Sequence, residues 1–378
     1  MIYLDNAATG GFKPRAVFET LETVTKYLAS NPGRSGHRLA VTGAKIIYSC
    51  REAISKLFCA LEDRVILTKN CTEALNLAIF GTLQKGKKVI TTTFEHNSVL
   101  RPLYHLEKSG DITLSIVRPS VNKDIVASIE EEIDDNTYLI VCTAVSNVTG
   151  EVLPIREIGK LAKKRGILFL VDGAQGAGHI PISLKADNIS MLAVAGHKGL
   201  YGIMGSGALL FSDEVEINPI LFGGTGTDSF SKDMPASYPE RLEAGTLNLP
   251  AISALKEGVN YVSSNLLHFR EQLEKTTERV INKLTAMDGV KVYSKVNPSG
   301  IVSFSIKNYD SITASDILNS EYDIAVRGGF HCAPLTHKYL KTEKDGLIRA
   351  SLAVQNSSNE ISRFLEAIDK ISSKSKPF

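Results

Sequence analysis

Several things are scarce in this chain, and each scarcity excludes something. Its 378 residues include five cysteines, Cys50, Cys59, Cys71, Cys142 and Cys332. The number is odd and no two form a Cys-x-x-Cys pair, which speaks against a disulfide framework and a structural zinc site. A reducing cytoplasm is the expected location. Charge of one sign is also missing. The 43 Lys and Arg against 41 Asp and Glu leave a net charge of +2, too little to draw nucleic acid or a membrane surface. No apolar run nears the ~18 residues of a membrane-spanning helix, so none is expected. Met1-Ile2-Tyr3-Leu4-Asp5 has neither a charged stretch nor a long apolar core, so no secretory signal is expected. Repeats and low-complexity segments are absent. The one acidic run, Glu130-Glu131-Glu132-Ile133-Asp134-Asp135, is short and reads as a solvated helix end rather than a site for a basic partner.

What is present is ordinary globular material. A hydrophobic fraction of 43% over this length fits one large and one smaller domain. Apolar residues recur with helical spacing over 14–28 and 38–58. Short apolar strands are expected at 64–68, 88–92, 137–143, 167–172 and 191–194. Helices are expected from about 72 and 97, and over 154–164, where Pro154 reads as the first helical residue. Apolar strands alternating with amphipathic helices give an α/β fold, a mostly parallel sheet covered on both faces. Such sheets bind ligands beyond the carboxyl ends of their strands. Residues 222–250, rich in Gly, Ser and Pro, read as a long functional loop. A long helical pattern then runs to about 287, and short strands and helices complete a second, α+β domain. The expected division is 1–14 as an N-terminal segment packing with the small domain, 15–250 as the large domain, and 251–378 as the small domain carrying a cysteine loop.

The strongest local signal is Ala195-Gly196-His197-Lys198-Gly199, where a strand delivers a lysine between glycines. Glycines admit close approach of backbone to a bulky ligand, and a neutral lysine amine condenses with an aldehyde to a Schiff base. Alone, a surface loop lysine explains this better. Asp172 changes the balance. It ends a fully apolar strand, where a carboxylate needs a partner, and a protonated pyridine nitrogen would supply one, as in pyridoxal 5′-phosphate (PLP). A helix N-cap is the plainer use of the same aspartate. Gln175, three residues on, can donate to a ring oxygen. Asn70-Cys71-Thr72-Glu73 opens a helix whose N–H groups and Thr72 hydroxyl suit a phosphate. His96 follows another strand and can stack on a ring or shuttle protons. In Arg327-Gly328-Gly329-Phe330-His331-Cys332, a thiol lies beside Arg327 and His331, which would favour its thiolate, in a loop that the glycines loosen. A metal held by His331, Cys332 and His337 would lack a fourth ligand and is not expected. Arg349 has a fork-shaped guanidinium suited to a substrate carboxylate, or to a structural ion pair.

Taken in order, these residues resemble the cysteine desulfurase branch of the class V aminotransferases, which are fold-type I PLP enzymes. The similarity runs over nearly the whole chain. Its pieces are Tyr3-Leu4-Asp5-Asn6-Ala7-Ala8-Thr9, Asn31-Pro32-Gly33-Arg34-Ser35-Gly36-His37-Arg38, Cys71-Thr72-Glu73, Glu95-His96, Ser146-Asn147-Val148-Thr149-Gly150, Asp172-Gly173-Ala174-Gln175, Gly196-His197-Lys198, Glu243-Ala244-Gly245-Thr246, residues 327–332 and Arg349-Ala350-Ser351. The resemblance implies roles. Lys198 would hold PLP, Asp172 would pair with its pyridine nitrogen, and His96 would stack on its ring. Gln175 and Asn147 would contact the ring oxygen or substrate. Cys71 lies at the cofactor. Thr72 and His197 would hold the phosphate, with Thr246 reaching in from a second subunit of a homodimer. Arg349, with Asn147 and Arg327, would bind substrate, and Cys332 would take its sulfur as a persulfide and release alanine. A sulfur-acceptor protein is an implied partner. Selenocysteine lyase and another class V aminotransferase are the alternatives. The chain departs from the family's commoner pattern at Ala195, where a hydroxyl residue is usual, at Gly202-Ile203-Met204-Gly205, and at Ala333-Pro334-Leu335-Thr336-His337.

Overall fold

The computed structural model describes residues 1–32, 35–120 and 123–374. Gly33 and Arg34 of the expected loop motif lie outside the described residues. The first part of the chain runs β1 (Ile2–Tyr3), α1 (Arg15–Tyr27), α2 (Arg38–Phe58), β2 (Val65–Thr68), α3 (Cys71–Gly81), β3 (Lys87–Thr92), α4 (Asn97–Lys108) and β4 (Ile112–Val117). It continues through α5 (Ile125–Glu132), β5 (Thr137–Thr143), α6 (Ile155–Arg165), β6 (Leu168–Asp172), β7 (Met191–Ala195) and β8 (Gly207–Phe211).

Seven of these strands form one sheet in the order β2-β8-β7-β6-β5-β3-β4. Only β8 runs against its neighbours, so the other six present their carboxyl ends along one edge. Every residue of β5 is buried, as a strand covered on both faces requires. Alternate residues serve two separate cores. Ile90, Ile140, Cys142 and Val171 pack on one side with α2, α6 and the long helix described below, and Val89, Leu139, Val141 and Leu170 pack on the other with α3 and α4. The helices start where polar side chains cap them. Asn70 Oδ1 accepts from Glu73 N at the start of α3, and His96 Nδ1 accepts from Ser98 N at the start of α4; both satisfy first-turn donors that the helix itself cannot.

The rest comprises α7 (Leu249–Thr285), β9 (Val290–Val292), β10 (Ile301–Ile306), α8 (Ser311–Tyr322), β11 (Ile324–Ala325), β12 (Arg327–Gly329), α9 (Pro334–Leu340), β13 (Leu347–Ser351) and α10 (Ser358–Lys374). Helix α7 packs its first half on α1 and α2 and its second on β9 and β10. An antiparallel sheet, β12-β13-β10-β9, supports this second part. Strand β1 pairs in parallel with β11, and its Ile2, with Leu4, sits in one core with Phe304, Ile348 and Phe364.

Most expected elements are found within a residue or two. Pro154 is an exception, since it caps α6 and the helix starts at Ile155. β4 and β8 have no counterpart among the sequence expectations, and of α5 only the end at the acidic run was expected. The acidic run ends α5, and its exposed Glu130, Glu131, Glu132 and Asp134 pair with Arg165, Lys123 and Lys88.

Candidate active site

The carboxyl edge of the sheet is where the chemistry-bearing residues gather. Asp172, the last residue of β6, is only 2% exposed. Its Oδ1 accepts from Ala174 N at 2.9 Å and meets Cys71 Sγ at 3.5 Å. Burial, reinforced by Asp172, pushes the Cys71 thiol well up, so Cys71 faces the carboxylate as a neutral donor. Lys198 lies three residues beyond β7. Burial lowers its amine's pKa, with Arg349 adding to the effect and Asp172 opposing it. A lysine so placed loses its proton more readily and is a better nucleophile.

The glycine after it has a different purpose from the one expected. A Cβ on Gly199 would lie 2.4 Å from Ala177 O, and one on Gly178 2.1 Å from Gly199 O. The glycine lets two stretches of protein backbone touch, and so fixes the lysine loop rather than making room for a ligand. His197 is tied to the N-terminal segment. Its Nδ1 lies 3.1 Å from Thr9 Oγ1, and its carbonyl accepts from Gly10 N and Lys13 Nζ, each at 3.0 Å. Burial drives its imidazole down to about 4.

His96 is also pushed down to about 4 by burial. With Nδ1 accepting from the Ser98 N–H, the proton of the neutral ring belongs on Nε2. Ser98 is the residue that sequence reasoning missed. Its Oγ lies 2.9 Å from His96 Nδ1 and 2.8 Å from Thr72 Oγ1, so one hydroxyl links the expected phosphate residue to the expected ring residue. Nothing in the sequence marks it apart from its place two residues into a helix. Glu95 was quoted only as part of a motif, yet it is completely buried. Its Oε1 accepts from Thr92 Oγ1 and Thr143 N, while Oε2 is unpartnered.

The second part of the chain closes the site. Arg349 on β13 is 1% exposed. Its Nη1 donates to Asn147 O and its Nη2 to Asp5 Oδ1, both at 3.0 Å, and Nε has no partner. Both functions foreseen for Arg349 are therefore available, because an ion pair fixes the guanidinium while one N–H stays unused. Asn147 Nδ2 donates to His331 O at 2.7 Å and Oδ1 is orphaned. Gln175 Nε2 donates to Ala7 O at 2.8 Å.

Two expectations for the cysteine segment are corrected. His331 is buried, its Nε2 lies 3.1 Å from Leu347 O, and burial keeps its ring well below the ordinary range. It is neutral and supplies no positive charge to the thiol. Arg327 does, with Nη2 3.8 Å from Cys332 Sγ. Nor is the segment loose. Gly328 and Gly329 lie in β12, paired with β13, and a Cβ on Gly328 would sit 2.4 Å from Ser311 O. Cys332, exposed and in the left-handed region at φ +57, is pinned to the large sheet's edge because its carbonyl accepts from Asn97 N at 2.7 Å.

Lys198, Asp172, Cys71, His96, Arg327 and Arg349 thus converge, as the mutual charge effects on Lys198 and His96 show. Thr246 does not join them within one chain. It is 3.4 Å from Asn31 and lines a separate small cavity with Lys69 and Glu73. A ligand bearing an aldehyde, a basic ring nitrogen and a phosphate fits the residues present. Lys198 is a desolvated amine, Asp172 a buried carboxylate, and Asn147 Oδ1 and Arg349 Nε are buried polar atoms awaiting partners.

This sheet order, with one reversed strand and a lysine after β7 facing an aspartate at the end of β6, is the fold of the fold-type I PLP-dependent transferases. The chain belongs to the class-V aminotransferase family, whose profile matches residues 2–364. It is 31% identical to a probable cysteine desulfurase of Methanothermobacter thermautotrophicus, over 98% of this chain and 94% of that one. It is 32% identical to a probable cysteine desulfurase of Xylella fastidiosa, over 98% and 91%. Among solved structures it is similar to the apo cysteine desulfurase of Thermococcus onnurineus, with TM-score 0.90 and 29% identity over 99% of this chain and 95% of that one.

Proposed function

We propose that this chain is a PLP-dependent cysteine desulfurase, converting L-cysteine to L-alanine and receiving the sulfur on Cys332. The observation that carries this reading is the placement of Cys332. Its thiol is exposed and has the Arg327 guanidinium 3.8 Å away, and its carbonyl is held by a main-chain hydrogen bond from Asn97, the residue after His96. An incidental loop cysteine needs none of these.

Lys198 would hold PLP, with Asp172 against its pyridine nitrogen and His96 over its ring. Thr72 and His197 would serve the phosphate, and Gln175 and Asn147 the ring oxygen or substrate. When bound, PLP supplies an electron sink that weakens bonds at the substrate's α and β carbons. The protein does the rest. Arg349, with Nε unused, would receive the substrate carboxylate. Lys198 and neutral His96 hold and move protons beside it. Arg327 favours the Cys332 thiolate, which attacks the substrate sulfur. A sulfur–sulfur bond forms as the carbon–sulfur bond breaks, so L-cysteine and the Cys332 thiol become L-alanine and a Cys332 persulfide without an external oxidant. The neutral charge balance and the odd cysteine set support a cytoplasmic enzyme, and among the described residues no helix is long and apolar enough to cross a membrane.

Residues 1–14 share a core and hydrogen bonds with the C-terminal part, which supports their packing with the small domain, while Ile252, Leu255 and Val259 in the large part's core favour a boundary within α7 rather than at 251. A homodimer, with Thr246 of each chain reaching the other's phosphate, is supported by the exposure of Leu221, Phe222 and Phe230 in the loop leading to Thr246. Incubation with L-cysteine should add one sulfur to the peptide bearing Cys332, and Cys332→Ala should bind PLP but make no alanine. An unmodified peptide together with alanine formation at the native rate in the variant would overturn the reading.

A further inference from the structure

Cys332 also faces a second space, which adjoins the proposed cofactor site and shares Thr72 and His96 with it. A cleft of about 450 Å³ lies over the seam between α3 and α4, with Cys332 in its lining. Two rows of side chains form its walls. Thr72, Asn76 and Phe80 lie at i, i+4 and i+8 on α3, and Asn97, Arg101 and His105 have the same spacing on α4. Both helices begin at the carboxyl edge of the sheet, so the rows run side by side away from the thiol. The Thr72–Ser98 hydrogen bond joins them at the Cys332 end, and the Phe80 and His105 rings, 6.2 Å apart, meet at the other. Eight residues of helix make the trough about 12 Å long. Its size suits a small molecule rather than a protein face.

The charge of this trough is one-sided. Arg101 and His105 are exposed along one wall, Asn76 and Asn97 add amides, and no carboxylate lines the cleft. A ligand lying in the trough would carry negative charge along its length and present its reactive atom at the thiol end.

We propose that the α3–α4 trough is the seat of the sulfur acceptor, and that the acceptor is a small thiol bearing carboxylates, its sulfur at Cys332 and its carboxylates on Arg101 and His105. The acceptor's role rests on the desulfurase reading. The acceptor thiolate attacks the outer sulfur of the Cys332 persulfide, one sulfur–sulfur bond forms as the other breaks, and Cys332 leaves as a thiolate that takes up the acceptor's proton. No oxidant or reductant is needed.

The trough can be tested apart from desulfuration. In a Cys59→Ser background, which removes the other exposed thiol, the holoenzyme is treated with three disulfides: oxidised glutathione, which carries carboxylates, neutral 2-hydroxyethyl disulfide and cationic cystamine. Mixed-disulfide formation on the Cys332 peptide is timed by mass spectrometry. The ratio of the Arg101→Glu,His105→Ala rate to the native rate cancels each reagent's own reactivity. That ratio should fall about tenfold for oxidised glutathione, stay near one for the neutral reagent and rise for cystamine. Arg101→Lys should keep the native rate with oxidised glutathione. In 1 M salt, where the screening length is about 3 Å, the differences should vanish. With the cysteine-loaded enzyme, sulfur transfer to glutathione, 2-mercaptoethanol and cysteamine should follow the same order.

Equal ratios for the three reagents, whether all unchanged or all reduced, overturn the proposal and leave the trough to an acceptor protein's loop. Selectivity among the disulfides without sulfur loading from cysteine would sink the desulfurase reading while the anion-selective trough stood. Loading without selectivity would do the reverse.

Discussion

At the residue scale, the site is a set of buried polar groups, each with part of its bonding capacity unused. That makes single substitutions informative. Lys198→Ala should lack the visible absorption that borohydride bleaches in the native protein, and finding the pyridoxyl group on another lysine of reduced, digested protein would refute the assignment. Ser98→Ala should cut the link between Thr72 and His96. Losing one hydrogen bond worth about 1 kcal/mol should weaken PLP binding about fivefold, measurable by absorbance titration of the apoprotein. Glu95 gives a pH prediction. Burial raises its carboxyl to about 8 from an ordinary 4.5, so between those values it is protonated when folded and ionised when unfolded. The unfolded state therefore binds fewer protons, and stability should fall as pH rises from 4.5 to 8. Glu95→Gln should flatten that part of the Tm–pH curve, and an unchanged slope would show that Glu95 is ionised in the fold. Asp172 could be picked out in the sequence because a charged residue at the end of an apolar strand demands a reason, Lys198 because it follows a strand between glycines, and Arg349 because it interrupts an apolar run. Ser98 and Asp5 could not, because each matters only through a partner distant in sequence or space, and Glu95 showed as motif without showing as buried acid.

Among the elements, the large sheet was legible where strands are continuously apolar, as in β5, β6 and β7, since such runs occur only when both faces are covered. β4 was not. Its Ile112-Thr113-Leu114-Ser115-Ile116-Val117 lies at the sheet edge with only Ile112 and Val117 buried, and edge strands carry a weaker signal. The reversal of β8 is set by pairing with both β2 and β7, which no local pattern encodes. The glycines of β12 were read as freedom because a Gly-Gly pair usually means it, but the approach of Ser311 O makes Gly328 a packing requirement. Gly328→Ala should force β12 off α8 at a cost of about 1–3 kcal/mol, seen as a lower urea midpoint, and should slow persulfide formation on Cys332. Native stability in that variant would show that α8 yields easily.

For the molecule as a whole, sedimentation should give a symmetric dimer at micromolar concentration, and a monomer that binds PLP tightly would contradict the place proposed for Thr246. The site is closed by residues from opposite ends of the described sequence. Arg349 meets Asp5, Ser351 receives Ala7 N across 344 positions, and the turn that follows gives His197 its Thr9. During synthesis the segment around Asp5 leaves the ribosome early and waits for β13. Until that strand emerges, the carboxylate clamp does not exist, and a nascent chain can complete its large sheet yet hold no substrate. Activity therefore waits on the emergence of β13, and a ribosome stalled before that strand should display a folded large sheet with no desulfurase activity.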